Sequence, residues 1–304
     1  MKPLSLVIIT YNRPGDALEL ARNIAGLEEL DRWVEEVIFV NNRSTVSYQA
    51  LEEFVAAHRE VPFRYSVAPE NLGVSRGRNY AIGLSRAPYL VFLDDDALFR
   101  DADALRWIVP AFESEDAGLP VGILAFKIYY HSTGEMQVNA FPHKRFAERR
   151  DWPHFDTAYF SGAAHAIRRT VFERVGLYPE NFFYGMEEYD LSYRALDAGF
   201  SIRYDDRVAI LHKESPAGRL TKPEKLRGMW VNKSKVAWKY LPVRYFLSTA
   251  FLWSLEYLKK SGWHFGGFFN GWGEVLRIPG AERRRPVGAA AREYLRRVKA
   301  RLSY

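Results

Sequence analysis

Tyr89-Leu90-Val91-Phe92-Leu93-Asp94-Asp95-Asp96 carries an apolar run straight into three adjacent carboxylates. A short, continuous apolar run with polar borders reads as a strand buried on both faces. Leu4–Ile9 and Val37–Val40 are runs of the same kind, and segments of helical length such as Asp16–Leu30 separate them. This alternation predicts an α/β fold, Rossmann-like, with a mostly parallel central sheet and helices on both faces. Ligands of such sheets bind at the carboxyl ends of the strands. The chemistry is therefore expected in three loops: Thr10-Tyr11-Asn12-Arg13-Pro14, Asn41-Asn42-Arg43-Ser44-Thr45 and the acidic triplet.

Composition narrows the choices further. The chain has 304 residues, 48% hydrophobic, which is enough for a large core and argues against disorder. It has no cysteine, so disulfides, thiolate metal sites and cysteine nucleophiles are excluded. The opening MKPLSLVIIT lacks the pattern of a secretory leader, and a cytoplasmic location is expected. The net charge of +6 hides an asymmetry: residues 1–212 carry 23 basic and 31 acidic side chains, residues 213–304 carry 20 and 6. Beyond residue 212 strand signals fade, and Thr221–Tyr240 and Val243–Lys260 read as helices. The apolar window Tyr245–Leu255 is too short for the roughly 20 residues of a membrane span. A buried amphipathic helix is the first reading of this window, and docking at an anionic membrane surface is the alternative, drawn from Trp253, Trp263, Phe265, Phe268, Phe269, Trp272 and the basic tail.

Four motifs carry chemistry. Three adjacent carboxylates at a strand end repel one another unless a cation neutralises them. In extended backbone Asp94 and Asp96 point the same way and could address one Mg2+ or Mn2+. A solvated acidic turn or a helix cap accounts equally well for the triplet taken alone. Asn71-Leu72-Gly73, with Arg78 and Asn79 beyond it, predicts a tight turn into a helix whose N-terminus and arginines suit a pyrophosphate. Gly185-Met186-Glu187-Glu188-Tyr189-Asp190 predicts an acidic helix start, with Asp190 and Arg194 as an i,i+4 pair and Glu188 as the surplus acid available for general-base work. His212 ends a further strand, where a lone histidine is usually structural.

Taken together these residues resemble glycosyltransferase family 2, inverting enzymes of the GT-A fold that include bacterial rhamnosyl, galactofuranosyl and glucosyl transferases. The matching segments, in order, are Thr10–Arg13, Val40–Ser44, Asn71/Gly73/Arg78/Asn79, Asp94–Asp96 and Glu187–Arg194. The resemblance implies Asp94, Asp96 and His212 as metal ligands and Glu188 as catalytic base. It implies Thr10, Tyr11, Asn12, Arg13, Asn41, Asn71, Gly73, Arg78, Asp94 and Asp95 around the donor. Gly162, Ala163, Glu187, Asp190 and Arg194 are implied at the sugar and acceptor. Asn41 replaces the usual aspartate at the base, a departure that weakens the donor identification; its carbonyl can still accept from a pyrimidine N–H, so a UDP- or dTDP-sugar stays the implied donor. Glu188 replaces the usual aspartate base and reaches one methylene further.

The implied organisation is a catalytic domain over 1–220, with a nucleotide-sugar part about 1–100 and an acceptor part about 101–220, followed by a helical, basic, aromatic segment over 221–304. The implied partners are a nucleotide sugar and a glycan or lipid-linked glycan acceptor, in cell-surface glycan or polysaccharide assembly. The protein would be cytoplasmic and extend to the inner face of the cell membrane as a peripheral protein. A nucleotidyltransferase also uses paired carboxylates and a metal, but the Glu188–Arg194 segment argues against it. A nucleic-acid-binding protein using the basic segment leaves the carboxylates unexplained.

Overall fold

The structure is a computed structural model and describes residues 1–113, 118–215 and 221–302. Its strands are β1 (Leu4–Thr10), β2 (Val34–Asn41), β3 (Phe63–Val67), β4 (Tyr89–Asp94), β5 (Ala97–Phe99), β6 (Val121–Tyr130), β7 (His154–Thr157), β8 (Ala164–Arg168) and β9 (Ser201–His212). They form one sheet in the order β3-β2-β1-β4-β8-β6-β9-β5, with β7 on β9. The first four are mutually parallel, as the apolar runs predict, and β1 and β4 are buried almost throughout. Antiparallel β8 then joins β4 to β6, which runs parallel to β9. Strands β1, β2 and β4 therefore end side by side, and β8 starts beside the end of β4.

The helices are α1 (Pro14–Ala25), α2 (Leu30–Trp33), α3 (Gln49–Ala57), α4 (Gly73–Leu84), α5 (Leu105–Phe112), α6 (Phe146–Arg149), α7 (Arg169–Val175), α8 (Glu187–Asp197), α9 (Lys222–Tyr240), α10 (Val243–Ser261), α11 (Phe265–Ala281) and α12 (Ala289–Arg297). The segment Asp16–Leu30 divides into α1 and α2 because the chain turns at Gly26, whose N–H closes α1 on the Arg22 and Asn23 carbonyls. Helix α4 opens at Gly73 with φ +68°, a conformation that suits a residue without Cβ. A Cβ there would also stand 2.7 Å from Phe183 Cδ2.

The C-terminal helices join the sheet rather than hanging from it. Thr221 and Glu224 form a capping box at the start of α9. Fully buried Trp230 lies between helices: its Nε1 donates to Ala250 O of α10 at 2.9 Å, and its ring stacks on Phe268 of α11. Trp230, Tyr257, Val275 and Leu295 belong to the same apolar cluster as Ile38 and Phe92 of the sheet. This packing revises the expected interfacial aromatics. Trp253 is buried and Trp272 and Phe268 pack on the core, whereas Trp263, Phe265 and Phe269 are exposed. No strand follows residue 212 among the described residues, and none of their helices is long and apolar enough to cross a membrane.

Candidate active site

The strand ends and the first turns of α4 and α8 enclose a cleft of about 660 Å³. Tyr11, Asn12, Arg13, Asn71, Gly73, Arg78, Asp94, Asp95, Gly162, Ala163, Glu187, Glu188 and His212 all line it. Residues from six separate stretches of the chain thus converge on one cavity.

The acidic triplet divides its labour. Asp94 points from the end of β4 into the cleft. Asp95 turns inward, where it accepts from Thr10 Oγ1 at 2.6 Å and pairs with Arg13 Nη1 at 2.7 Å. Burial pushes Asp95 up to about 7 against the pull of Arg13 and Thr10. Thr10 is fully buried and acts from below the cleft through this bond. Asp96 accepts from the Ser215 backbone N–H at 2.7 Å and faces His212 Nε2 at 3.3 Å. Burial opposes its charge, but His212 and Arg13 hold Asp96 down at about 2.

The residues present fit a divalent cation. One ligand atom from each of Asp94, Asp96 and His212 falls within 4.8 Å of the others. His212 Nδ1 lies 3.0 Å from Gln137 Oε1; since an amide oxygen can only accept, Nδ1 carries a proton, and Nε2, which pairs with Asp96 while protonated, is the nitrogen whose lone pair is left to a cation once that proton goes. Two carboxylates and one imidazole, with the cleft open beside them, suit Mn2+ or Mg2+ with positions left for other ligands.

Arg78 connects this triad to the acidic helix. Its Nη2 donates to Gly162 O at 2.8 Å and reaches Asp94 Oδ1 at 3.4 Å, while Nη1 donates to Glu187 Oε1 at 3.1 Å. Its buried guanidinium also lies 3.7 Å from Glu188 Oε1. Gly185 and Met186 both adopt positive φ, at 77° and 72°, and this reversal turns the first residues of α8 toward the cleft. Glu188 is pushed up to about 8, chiefly by burial and then by the like charge of Glu187.

Besides Thr10, three expected contacts fall elsewhere. Asn41 is buried off the cleft wall, with Nδ2 donating to Tyr65 OH at 2.7 Å and Oδ1 accepting from Ser44 N–H at 2.8 Å. Asp190 and Arg194 turn into the protein instead of the cleft. Asp190 accepts from Arg194 Nε at 2.8 Å and Tyr240 OH at 2.9 Å, and Arg194 also donates to the Val175, Gly176 and Leu177 carbonyls. Their work is to tie α8 to the loop after α7 and to α9. Sequence reasoning missed Gln137 and Asn42. Asn42 accepts from Leu72 N–H and donates to Gly73 O, holding the turn before α4. The doublet Asn41-Asn42 could have shown it, since neighbouring side chains face opposite ways. Gln137 has no such signal.

Comparison with known proteins identifies the family and the fold. The family model Glycosyl transferase family 2 matches residues 5–176. An uncharacterized protein of Haemophilus influenzae is 31% identical over 178 residues, 58% of this chain and 92% of that one. The O-antigen chain rhamnosyltransferase WbaN of Salmonella anatum is 24% identical over 157 residues; the match spans 49% of this chain and about half, 49%, of that relative. Among solved structures, the mannosyltransferase PcManGT from Pyrobaculum calidifontis, in complex with GDP-Man and Mn2+, superposes with a TM-score of 0.62 at 17% identity, covering 98% of this chain and 79% of that one. S. aureus TarS 1–349 in complex with UDP-GlcNAc gives 0.58 at 17% identity, covering 91% and 81%. At these identities the structural likeness establishes the GT-A fold. The family match spans more than half the chain, and its residues supply the β1, β2 and β4 ends, Arg78 and the acidic triplet. On that ground the chain belongs to glycosyltransferase family 2.

Proposed function

We propose that the protein transfers a sugar from a nucleotide-diphosphate donor to an acceptor hydroxyl with inversion at the anomeric carbon. The observation that carries this reading is that Glu188 shares one cleft with Asp94 and His212, with Asp96 buried against His212 and Arg78 between Asp94 and Glu188. Glu188 takes the proton of the acceptor hydroxyl as that oxygen attacks the anomeric carbon. The bond to the donor phosphate breaks on the opposite face, and a nucleoside diphosphate leaves. A carboxyl held near 8 is a stronger proton acceptor than an ordinary glutamate, which suits a hydroxyl nucleophile. Asp94, Asp96 and His212 would hold a divalent cation, whose charge when bound stabilises the departing diphosphate. Gly162 and Ala163 would border the sugar. Tyr11, Asn12, Arg13, Asn71 and Gly73 would border the nucleotide, all of them on the cleft wall.

The donor in this reading is a UDP- or dTDP-sugar; Asn41 lies off the cleft wall, and its Oδ1, which already accepts from Ser44 N–H, has a second lone pair for a base N–H. The acceptor is a glycan or lipid-linked glycan, at the inner face of the membrane, in surface-glycan assembly. Thermal-shift measurement with UDP, dTDP, GDP and ADP, each with Mn2+ or Mg2+, tests the donor site. A nucleoside diphosphate at a hundred times its Kd adds about 2.7 kcal/mol of apparent stability. A cation-dependent rise in Tm with UDP or dTDP is expected, and no shift with any diphosphate and either cation would overturn the reading.

A further inference from the structure

Helices α10 and α11 bury one side and leave the other bare. On α10, Leu247, Phe251 and Leu255 recur at i, i+4 and i+8 and are 61%, 56% and 48% exposed. On α11, Phe265, Phe269 and Leu276 recur at i, i+4 and i+11, again on one face, with exposures of 54%, 68% and 73%. Trp263, 64% exposed, sits in the turn between the helices with its ring 6.3 Å from that of Phe265. Single exposed apolar residues are ordinary on a protein surface, but a line of them on each of two adjoining helices marks a surface with a partner.

The charges around these lines say which partner. Arg244 and Lys259 stand on the same side of α10 as the apolar line, Lys260 follows at its end, and Arg277 adjoins Leu276 on α11; all four are exposed. The acids of these helices are already engaged: Glu256 pairs with Lys260 at 3.4 Å and Glu274 with Arg227 at 3.4 Å. A second copy of the chain would bring 20 basic and 6 acidic residues of its own segment 213–304 against the same surplus, which disfavours self-association. A sheet of anionic headgroups over hydrocarbon matches both features.

We propose that the outer face of α10 and α11 docks flat on an anionic bilayer. Phe251, Phe269 and Trp263 enter the headgroup boundary, and Arg244, Lys259, Lys260 and Arg277 meet the phosphates. Trp230 seats both helices against α9, and its neighbour Met229, like Lys225 one turn earlier, lines the cleft. Docking therefore brings the catalytic rim within one helix layer of the membrane. This deepens the peripheral-membrane reading above and rests on it for the lipid-linked acceptor, while vesicle binding itself needs no donor.

The test is flotation of the full chain with vesicles of phosphatidylcholine alone and of phosphatidylcholine with phosphatidylglycerol, at low and high salt. Binding to the anionic vesicles is expected, weakened by salt. The pair Phe251→Ser and Phe269→Ser should cut it by about tenfold or more through lost apolar burial. Reversal at Arg244→Glu, Lys259→Glu and Lys260→Glu should cut it by about fivefold per site. Unchanged circular dichroism and nucleotide thermal shift in each variant would show that fold and donor site are intact. Equal binding to both vesicle types, or undiminished binding by the variants, would overturn the proposal. So would a soluble dimer that Phe251→Ser dissociates, which would assign the face to a second copy. A failure here with normal nucleotide binding leaves the transfer reading standing, and the converse result separates the two equally well.

Discussion

A side chain on residue 162 would stand in the space that Glu188 Oε1 occupies, with Glu188 Cδ 3.2 Å and Arg78 Nη2 3.3 Å away. Gly162 makes room for Glu188, the proposed base, and its own carbonyl accepts from Arg78 at 2.8 Å. Gly162→Ala should displace Glu188 and lower kcat/KM by about 100-fold, since a misplacement near 1 Å costs on that order. The backbone at this position has no positive φ, so the stability change should stay near 1 kcal/mol, in the ordinary range for a point substitution. Steady-state kinetics beside thermal melts checks this; a variant with wild-type turnover would refute the spatial conflict.

Glu188→Gln should separate activity from stability. Loss of a general base lowers kcat by roughly 10²–10⁴-fold. In the folded protein Glu188 holds its proton up to about 8, against an ordinary value of 4.5, so it binds a proton that the unfolded chain has released. The wild type therefore loses stability as pH rises from 4.5 to about 8, and glutamine does not. Melts across this range should show the variant level with the wild type at the acidic end. It should be more stable by at least about 2 °C above pH 8, the shift that 1 kcal/mol produces in a large domain.

The same carboxylate sets the expected pH profile. In the free enzyme kcat/KM should rise with pH through a limb near 8. Glu187→Gln removes the like charge that raises Glu188 and frees Arg78 toward it, both of which lower the limb. A pH–rate profile of this variant that moved upward, or did not move, would contradict the coupling.

Gln137 acts through His212. Its Oε1 accepts a hydrogen bond from Nδ1–H and so fixes the imidazole with Nε2 toward Asp96. Gln137→Ala should weaken Mn2+ binding by roughly 10–100-fold, as loss of an outer partner of a metal histidine does. Titration calorimetry or the Mn2+ paramagnetic resonance signal reads this without catalysis. Unchanged affinity would make the contact merely structural.

The sequence exposed the strand ends because each apolar run stops at a polar loop, and it exposed Asp94, Asp96 and Glu188 because surplus carboxylates at strand and helix ends need a reason. Gln137 was hidden because its partner is 75 residues away and the segment around it is placed by a single bridge, Tyr129 to Met136. Asp190 and Arg194 misled for a different reason. Their i,i+4 spacing was visible, but the direction of that face depends on Tyr240 and on carbonyls of the loop after α7. The bare side of α10 was partly visible as an aromatic-rich segment; only packing tells exposed Phe269 from its inward neighbour Phe268.

Packing of the C-terminal helices gives a final stability prediction. A Cβ on Gly271 of α11 would run into the Trp230 ring, with Cη2 3.1 Å away and other ring atoms closer still. Gly271→Ala should cost about 1–3 kcal/mol by overpacking. Denaturant melts measure it, and turnover per folded molecule should be unaffected. A neutral substitution would mean that the α9–α11 contact is looser than described.

One guanidinium, Arg78, is shared among Asp94, the Gly162 carbonyl and Glu187. The two halves of the machinery are consequently wired as one circuit, and neither can be transplanted into a related scaffold alone. A chimera that replaced α8 would keep Glu188 in its present place only if the arginine and all three of its partners travelled together.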